Sequence, residues 1–160
     1  GYPISALVGT DALRDAMTSV FFTGTQFFNA APMAAALATL KEIKRINAPK
    51  IMLEIGKKVM DGLVGIAKDY GYDLRVTGLP SMPYFWITNQ ELPVFTEGLH
   101  ALHTGLHADW ISECVQRGAF FLDYHNHFIS AAHNDDDVQR TWDIAEDAFK
   151  AVKKKHGNPC

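Results

Sequence analysis

Two apolar stripes of helical period meet at Asn47-Ala48-Pro49, and beyond Gly71 the period drops to two. Met33, Leu37, Leu40 and Ile43 recur at steps of three and four, which predicts a helix from Ala31 to Ile46. Met52, Ile55, Val59, Leu63 and Ile66 predict a second, from Ile51 to Tyr70. Pro49 suits its first turn, where a missing N–H costs nothing, and Gly71 suits its end. Leu74 to Thr77 and Tyr84 to Ile87 then read as strands joined by Gly78-Leu79-Pro80-Ser81-Met82-Pro83. Pro83 belongs at a strand boundary, because it cannot donate to a ladder.

The remaining elements follow from caps and stops. Residues 91 to 97 read as a loop or frayed helix start, and His100 to Arg117 as a helix stopped by Gly118. Ala119 to Tyr124 and His127 to Ala131 read as two further strands. Asn134 is the expected N-cap of the last helix, whose buried stripe is Val138, Trp142, Ala145, Phe149 and Val152. Asp135 to Asp137 in its first turn and Lys153 to Lys155 in its last both agree with the helix dipole. Ahead of the long helices come a short strand at Ile4 to Val8, a short helix at Ala12 to Met17 capped by Thr10-Asp11, and a strand at Val20 to Phe22. The expected organisation is a first part, residues 1–47, and a compact α+β unit of mixed strands and outer helices, residues 48–160.

Composition narrows the classes. A chain of 160 residues, 48% hydrophobic and 21% charged, can bury a real core and is not a disordered tract. The net charge is −3 with both signs dispersed, so there is no basic stripe for nucleic acid. No apolar run is long enough to cross a bilayer. Two cysteines, Cys114 and Cys160, make no disulfide framework and suit a reducing cytoplasm. No dinucleotide fingerprint, P-loop or nucleophile elbow is present.

Three places carry polar chemistry. In Val20 to Leu40 an extended apolar run passes through Thr23-Gly24-Thr25 into an alanine-rich helix entered near Pro32. Exposed amides, hydroxyls and a helix N-terminus together suit an oxyanion, though a plain turn before a helix has the same look. His100, His103 and His107 fall on one helix face, but no further ligand with suitable spacing completes a zinc set, so solvated or capping histidines are expected. In Tyr124-His125-Asn126-His127-Phe128 polar groups interrupt two apolar strands and must be satisfied, as at a turn beside a wet cavity or an interface.

Several of these stretches resemble class III pyridoxal-phosphate (PLP) aminotransferases, in particular the glutamate-1-semialdehyde 2,1-aminomutase-like branch. Gly1-Tyr2-Pro3-Ile4-Ser5-Ala6 is similar to the run that follows the family's Schiff-base lysine. Gly24-Thr25 and Met33 to Leu40 are similar to its Gly-Thr pair and its Met- and Ala-rich helix, while Phe27-Phe28-Asn29-Ala30 departs from the usual Ser-Gly-Asn-Pro turn. His125-Asn126-His127-Phe128-Ile129-Ser130-Ala131-Ala132-His133 is similar to a His-Asn-x-Phe run and the Ser-x-Ala-His segment after it. Many ω-aminotransferases carry an arginine where Ile129 stands, so a dicarboxylate clamp is not expected.

The resemblance implies a fold type I PLP-dependent transferase of the α/β class: the end of the large domain followed by an α+β C-terminal small domain. It implies amino-group transfer, or its intramolecular aminomutase version, through a lysine aldimine. The catalytic lysine is expected upstream of Gly1, in a longer polypeptide, leaving no catalytic residue in this chain and an inactive segment when alone. Gly24 and Thr25 would contact the cofactor phosphate, His125 and Asn126 would face the substrate, and no metal is implied. The partners implied are a second subunit that shares the cofactor site in a homodimer, a small amino donor, and a keto or aldehyde acceptor. The competing expectation is a small noncatalytic or metal-binding α/β domain.

Overall fold

A computed structural model describes residues 1–21, 24–87 and 105–157. The chain divides into two compact units, Gly1–Ala48 and Pro49–Cys160.

In the first unit the described residues form two helices, α1 (Asp11–Thr18) and α2 (Ala30–Ile46). Thr10 precedes α1 in an extended conformation, but its side chain makes no cap bond. The α2 helix begins at a side-chain cap, Ala31 N–H donating to Asn29 Oδ1. It ends at Asn47, in the left-handed region with φ 52°, whose N–H returns to the carbonyls of Ile43 and Lys44. Asparagine tolerates that conformation better than most side chains, so the expected stop has a local cause. The strands expected at Ile4 to Val8 and Val20 to Phe22 are not formed among the described residues, and Ile4 to Val8 is exposed. A strand requires an edge to pair with, and the described part of this unit offers none. Met33, Leu37 and Leu40 on α2 are 47%, 60% and 62% exposed, so the predicted stripe exists but no described residue covers it.

The second unit holds α3 (Ala48–Asp69), β1 (Leu74–Thr77), β2 (Tyr84–Ile87), α4 (Gly105–Gln116) and α5 (Asp135–His156). The strands pair antiparallel, Leu74 opposite Ile87 and Thr77 opposite Tyr84. Both bends beside β1 need left-handed backbone, supplied by Gly71 (φ 83°) and Gly78 (φ 86°). The core joins Leu63 and Ala67 of α3, Phe85 of β2, Trp110 and Cys114 of α4, and Ala145, Phe149 and Val152 of α5. Trp110 stacks on Phe149 at 5.1 Å between ring centroids and meets Phe85 edge-on at 5.9 Å. Burial of these aromatic rings supplies much of the hydrophobic stabilisation.

The strands expected at Ala119 to Tyr124 and His127 to Ala131 appear instead as irregular chain. Two bonds still fasten this segment at alternate residues: His127 N–H to Pro83 O at 2.7 Å and Ile129 N–H to Ser81 O at 3.0 Å. Its partner is the connection between β1 and β2, where Met82 N–H turns inward to Leu79 O and Pro83 has no N–H. A regular ladder therefore cannot form there. The start of the expected His100 helix and the loop at 91 to 97 lie outside the described residues.

The last helix follows the sequence closely. Asn134 Oδ1 accepts from Asp136 and Asp137 N–H, and the Asp137 carboxylate accepts from Asn134 N–H, a complete capping box. Val138, Ala145, Phe149 and Val152 are buried and Trp142 is partly so. A Lys58–Asp135 ion pair links α3 to α5, and the Tyr70 hydroxyl, just past the end of α3, donates to Glu146 of α5.

Candidate functional site

In the first unit, Thr25 sits in a tight turn closed by Phe27 N–H to Gly24 O at 2.9 Å. Gly24 and Thr25 are both exposed, and a Cβ at Gly24 would meet nothing within 4 Å. The Thr25 hydroxyl has no hydrogen-bond partner among the described residues, so it is available to a group arriving from outside the turn. The structure separates this turn from the helix end with which the sequence merged it. Phe28, with φ 61°, and Asn29 stand between them, and Asn29 uses Ala31 N–H for its own cap. Any grip on an anion by Thr25 therefore rests on its hydroxyl and amide rather than on the α2 dipole, which acts only over the first turn. These exposed donors fit one side of a phosphate, and Gly24 leaves that side open to a bulky ligand.

In the second unit, the two residues assigned to the substrate have different surroundings. His125 is exposed, its Nδ1 2.8 Å from Asn126 O, while Asn126 lines a cavity of about 570 Å3. The buried member of that run is His127, which the sequence did not single out. It is 9% exposed, and its Nε2 accepts from Leu122 N–H at 3.0 Å. The proton therefore sits on Nδ1, which has no partner among the described residues. Burial lowers its pKa to about 4, which keeps the ring neutral.

His107 is likewise no solvated histidine. It is fully buried, its Nδ1 accepts from Ile87 N–H at 3.3 Å, and its Nε2 lies 3.2 Å from Asp123 O and 3.4 Å from the Asp123 carboxylate. This ring ties the end of β2 to the irregular segment, which corrects the expectation of a surface or capping histidine. The apolar neighbours of His107 in this helix, Trp110, Ile111 and Cys114, were the available signal. His100 and His103 lie outside the described residues, and among the described ones no group of three possible ligands could hold a metal.

Comparisons with known proteins give these features relatives. No family model matches the chain. It is 36% identical over 152 residues to the aminopentol aminotransferase of Sphingopyxis macrogoltabida, covering 95% of this chain and 33% of that protein. It is 30% identical to the glutamate-1-semialdehyde 2,1-aminomutase of Caldivirga maquilingensis, covering 97% of this chain and 37% of that protein. Among solved structures, the FumI protein of a Sphingopyxis species, in its PLP internal aldimine form, superposes with a TM-score of 0.84 at 34% identity, covering 97% of this chain and 35% of that one. An ω-transaminase from Sphaerobacter thermophilus shares the fold with a TM-score of 0.66 at 17% identity, covering 84% of this chain and 31% of that one.

The fold is that of the PLP-dependent transferases. Over nearly its whole length the chain is homologous to the C-terminal part of PLP-dependent aminotransferases and aminomutases. It spans about a third of the length of the curated relatives it matches. No helix among the described residues is long and apolar enough to cross a membrane.

Proposed function

We propose that this chain is the C-terminal part of a PLP-dependent aminotransferase or aminomutase that moves an amino group between small amine and carbonyl compounds. The observation that carries the reading is the 36% identity to the aminopentol aminotransferase across 95% of this chain. The cofactor, when bound, withdraws electrons from the carbon that bears the amino group. This chain's own residues have narrower tasks. Thr25 donates its hydroxyl and amide to one side of the cofactor phosphate, and Gly24 keeps the approach clear. His125 and Asn126 present polar groups to the substrate. The lysine that handles the proton is supplied by sequence preceding Gly1, and the site is completed in a homodimer in the cytoplasm. Residues 1–47 belong to the cofactor-binding domain and residues 48–160 form the small domain.

The test uses the complete polypeptide with its lysine. It should take up PLP with a visible absorbance band that borohydride abolishes. Thr25→Val should weaken cofactor retention at least tenfold, and Thr25→Ser should restore most of it. A complete polypeptide that stays colourless with PLP overturns the enzyme reading. Unchanged retention in Thr25→Val overturns the role of Thr25.

A further inference from the structure

The 570 Å3 cavity of the second unit is of a size typical for small ligands, roughly 300–1,000 Å3. Its walls are mainly apolar, with Val59 of α3, Phe121 and Ile129 of the irregular segment and Ile144 of α5 among them. Its polar rim is mostly occupied internally. Thr141 Oγ1 donates to Asp137 O at 2.8 Å, the Asp137 carboxylate accepts from Asn134 N–H at 3.0 Å, and His133 Nδ1 accepts from Ser130 N–H at 3.2 Å.

Among the charged side chains of this rim, Arg140 is the exception. Arg14, Arg45, Arg75 and Arg117 each pair with a carboxylate, whereas Arg140 has no such partner among the described residues. Its guanidinium lies across Gly118, Nη2 being 3.6 Å from where a Cβ there would stand. A planar guanidinium at the mouth of an apolar cavity matches a carboxylate in charge and geometry. Asp137 on the same rim adds discrimination, since a second negative charge on the ligand would face it.

We infer that this cavity binds small monocarboxylic acids with an apolar body, the carboxylate on Arg140 and the body against Phe121 and Ile129. The inference uses residues of the second unit alone and does not rest on the cofactor reading.

Titration calorimetry of the full 160-residue chain with three probes tests it. Saturable binding of 3-phenylpropionate is expected, at least tenfold tighter than 3-phenylpropionamide and tighter than the dicarboxylate phenylsuccinate. Arg140→Gln, a change at an exposed position, should weaken the acid about tenfold and leave the amide as it was, with an unchanged circular dichroism spectrum. The inference is overturned if no saturable binding occurs, if acid and amide bind equally, if phenylsuccinate binds as tightly as the monoacid, or if Arg140→Gln leaves the acid's affinity intact.

Discussion

The imidazole of His127 lies flat on the ring of Phe85, with centroids 4.2 Å apart and planes 6° from parallel. Phe121 closes the other direction edge-on at 5.2 Å. The ring is thus packed as an aromatic core residue while its Nε2 accepts the Leu122 N–H, and a second proton would have to displace that bond.

A pH dependence follows. The folded state holds this ring neutral down to about pH 4, whereas the unfolded chain protonates it near 6.5. The unfolded state therefore binds more protons across that window. The stability from His127 is complete above pH 6.5 and is lost as pH falls toward 4, by up to about 3 kcal/mol. His127→Gln keeps an acceptor near the Nε2 position without a titrating ring. Urea unfolding at a series of pH values should show a flatter slope for His127→Gln than for the parent between pH 6.5 and 4. Parallel slopes would refute the assignment.

Cys114 offers a second expectation. It is fully buried between Trp110 and the α5 core, and burial pushes its thiol far above the ordinary range. Since the thiolate is the reactive form, iodoacetamide at pH 8 should leave the Cys114 peptide unmodified in the native chain and label it fully in urea. Peptide mass spectrometry reads the difference, and native labelling at the denatured rate would contradict the packing.

The sequence made some of this plain and concealed the rest for identifiable reasons. Asn47, Gly71 and Asn134 act locally, so the bounds of α2, α3 and α5 could be read from caps and period. Leu74 to Thr77 alternates, Tyr84 to Ile87 is a short run of aromatic and β-branched residues, and the two pair as expected. Ile4 to Val8 and Ala119 to Tyr124 have strand-like composition, but whether they pair depends on an edge elsewhere, which local pattern does not encode. The site divides in the same way. Thr25 and Asn126 were visible as polar residues in apolar runs, and the family resemblance gave them roles. Arg140 was hidden among the polar residues of α5, since only the fold shows that it alone of the arginines forms no ion pair with a carboxylate among the described residues. His107 was legible as a helix-face residue, yet its hold on Ile87 and Asp123 depends on chain 16 to 20 residues away.

The capping box at the start of α5 gives a third prediction. Asn134 satisfies the N–H groups of Asp136 and Asp137 at 2.8 and 3.1 Å. Asn134→Ala should cost about 1 kcal/mol, and Asn134→Ser or Asn134→Asp should recover most of it. The midpoint of chemical denaturation should fall with little change in its slope. A neutral Asn134→Ala would mean that water replaces the cap without loss.

Gly56 supplies the last and sharpest packing test. It lies in the middle of α3, where glycine is unfavourable relative to alanine by about 1 kcal/mol, so alanine on a free helix would be stabilising. Here a Cβ would fall 1.8 Å from Pro80 O and 2.4 Å from Pro80 C. Both are backbone atoms, so no side-chain rotation relieves the clash; the turn before β2 must move away from α3. That turn carries Ser81 and Pro83, whose carbonyls accept from Ile129 and His127 N–H, so the displacement passes to the irregular segment and to the cavity it lines. Gly56→Ala should therefore destabilise the chain by about 2–3 kcal/mol despite its better helix propensity. The same change at Gly65, where a Cβ meets nothing within 4 Å, should be neutral or stabilising. Thermal unfolding of the two variants side by side should give opposite shifts. If both raise the midpoint, Pro80 does not rest on α3 as described.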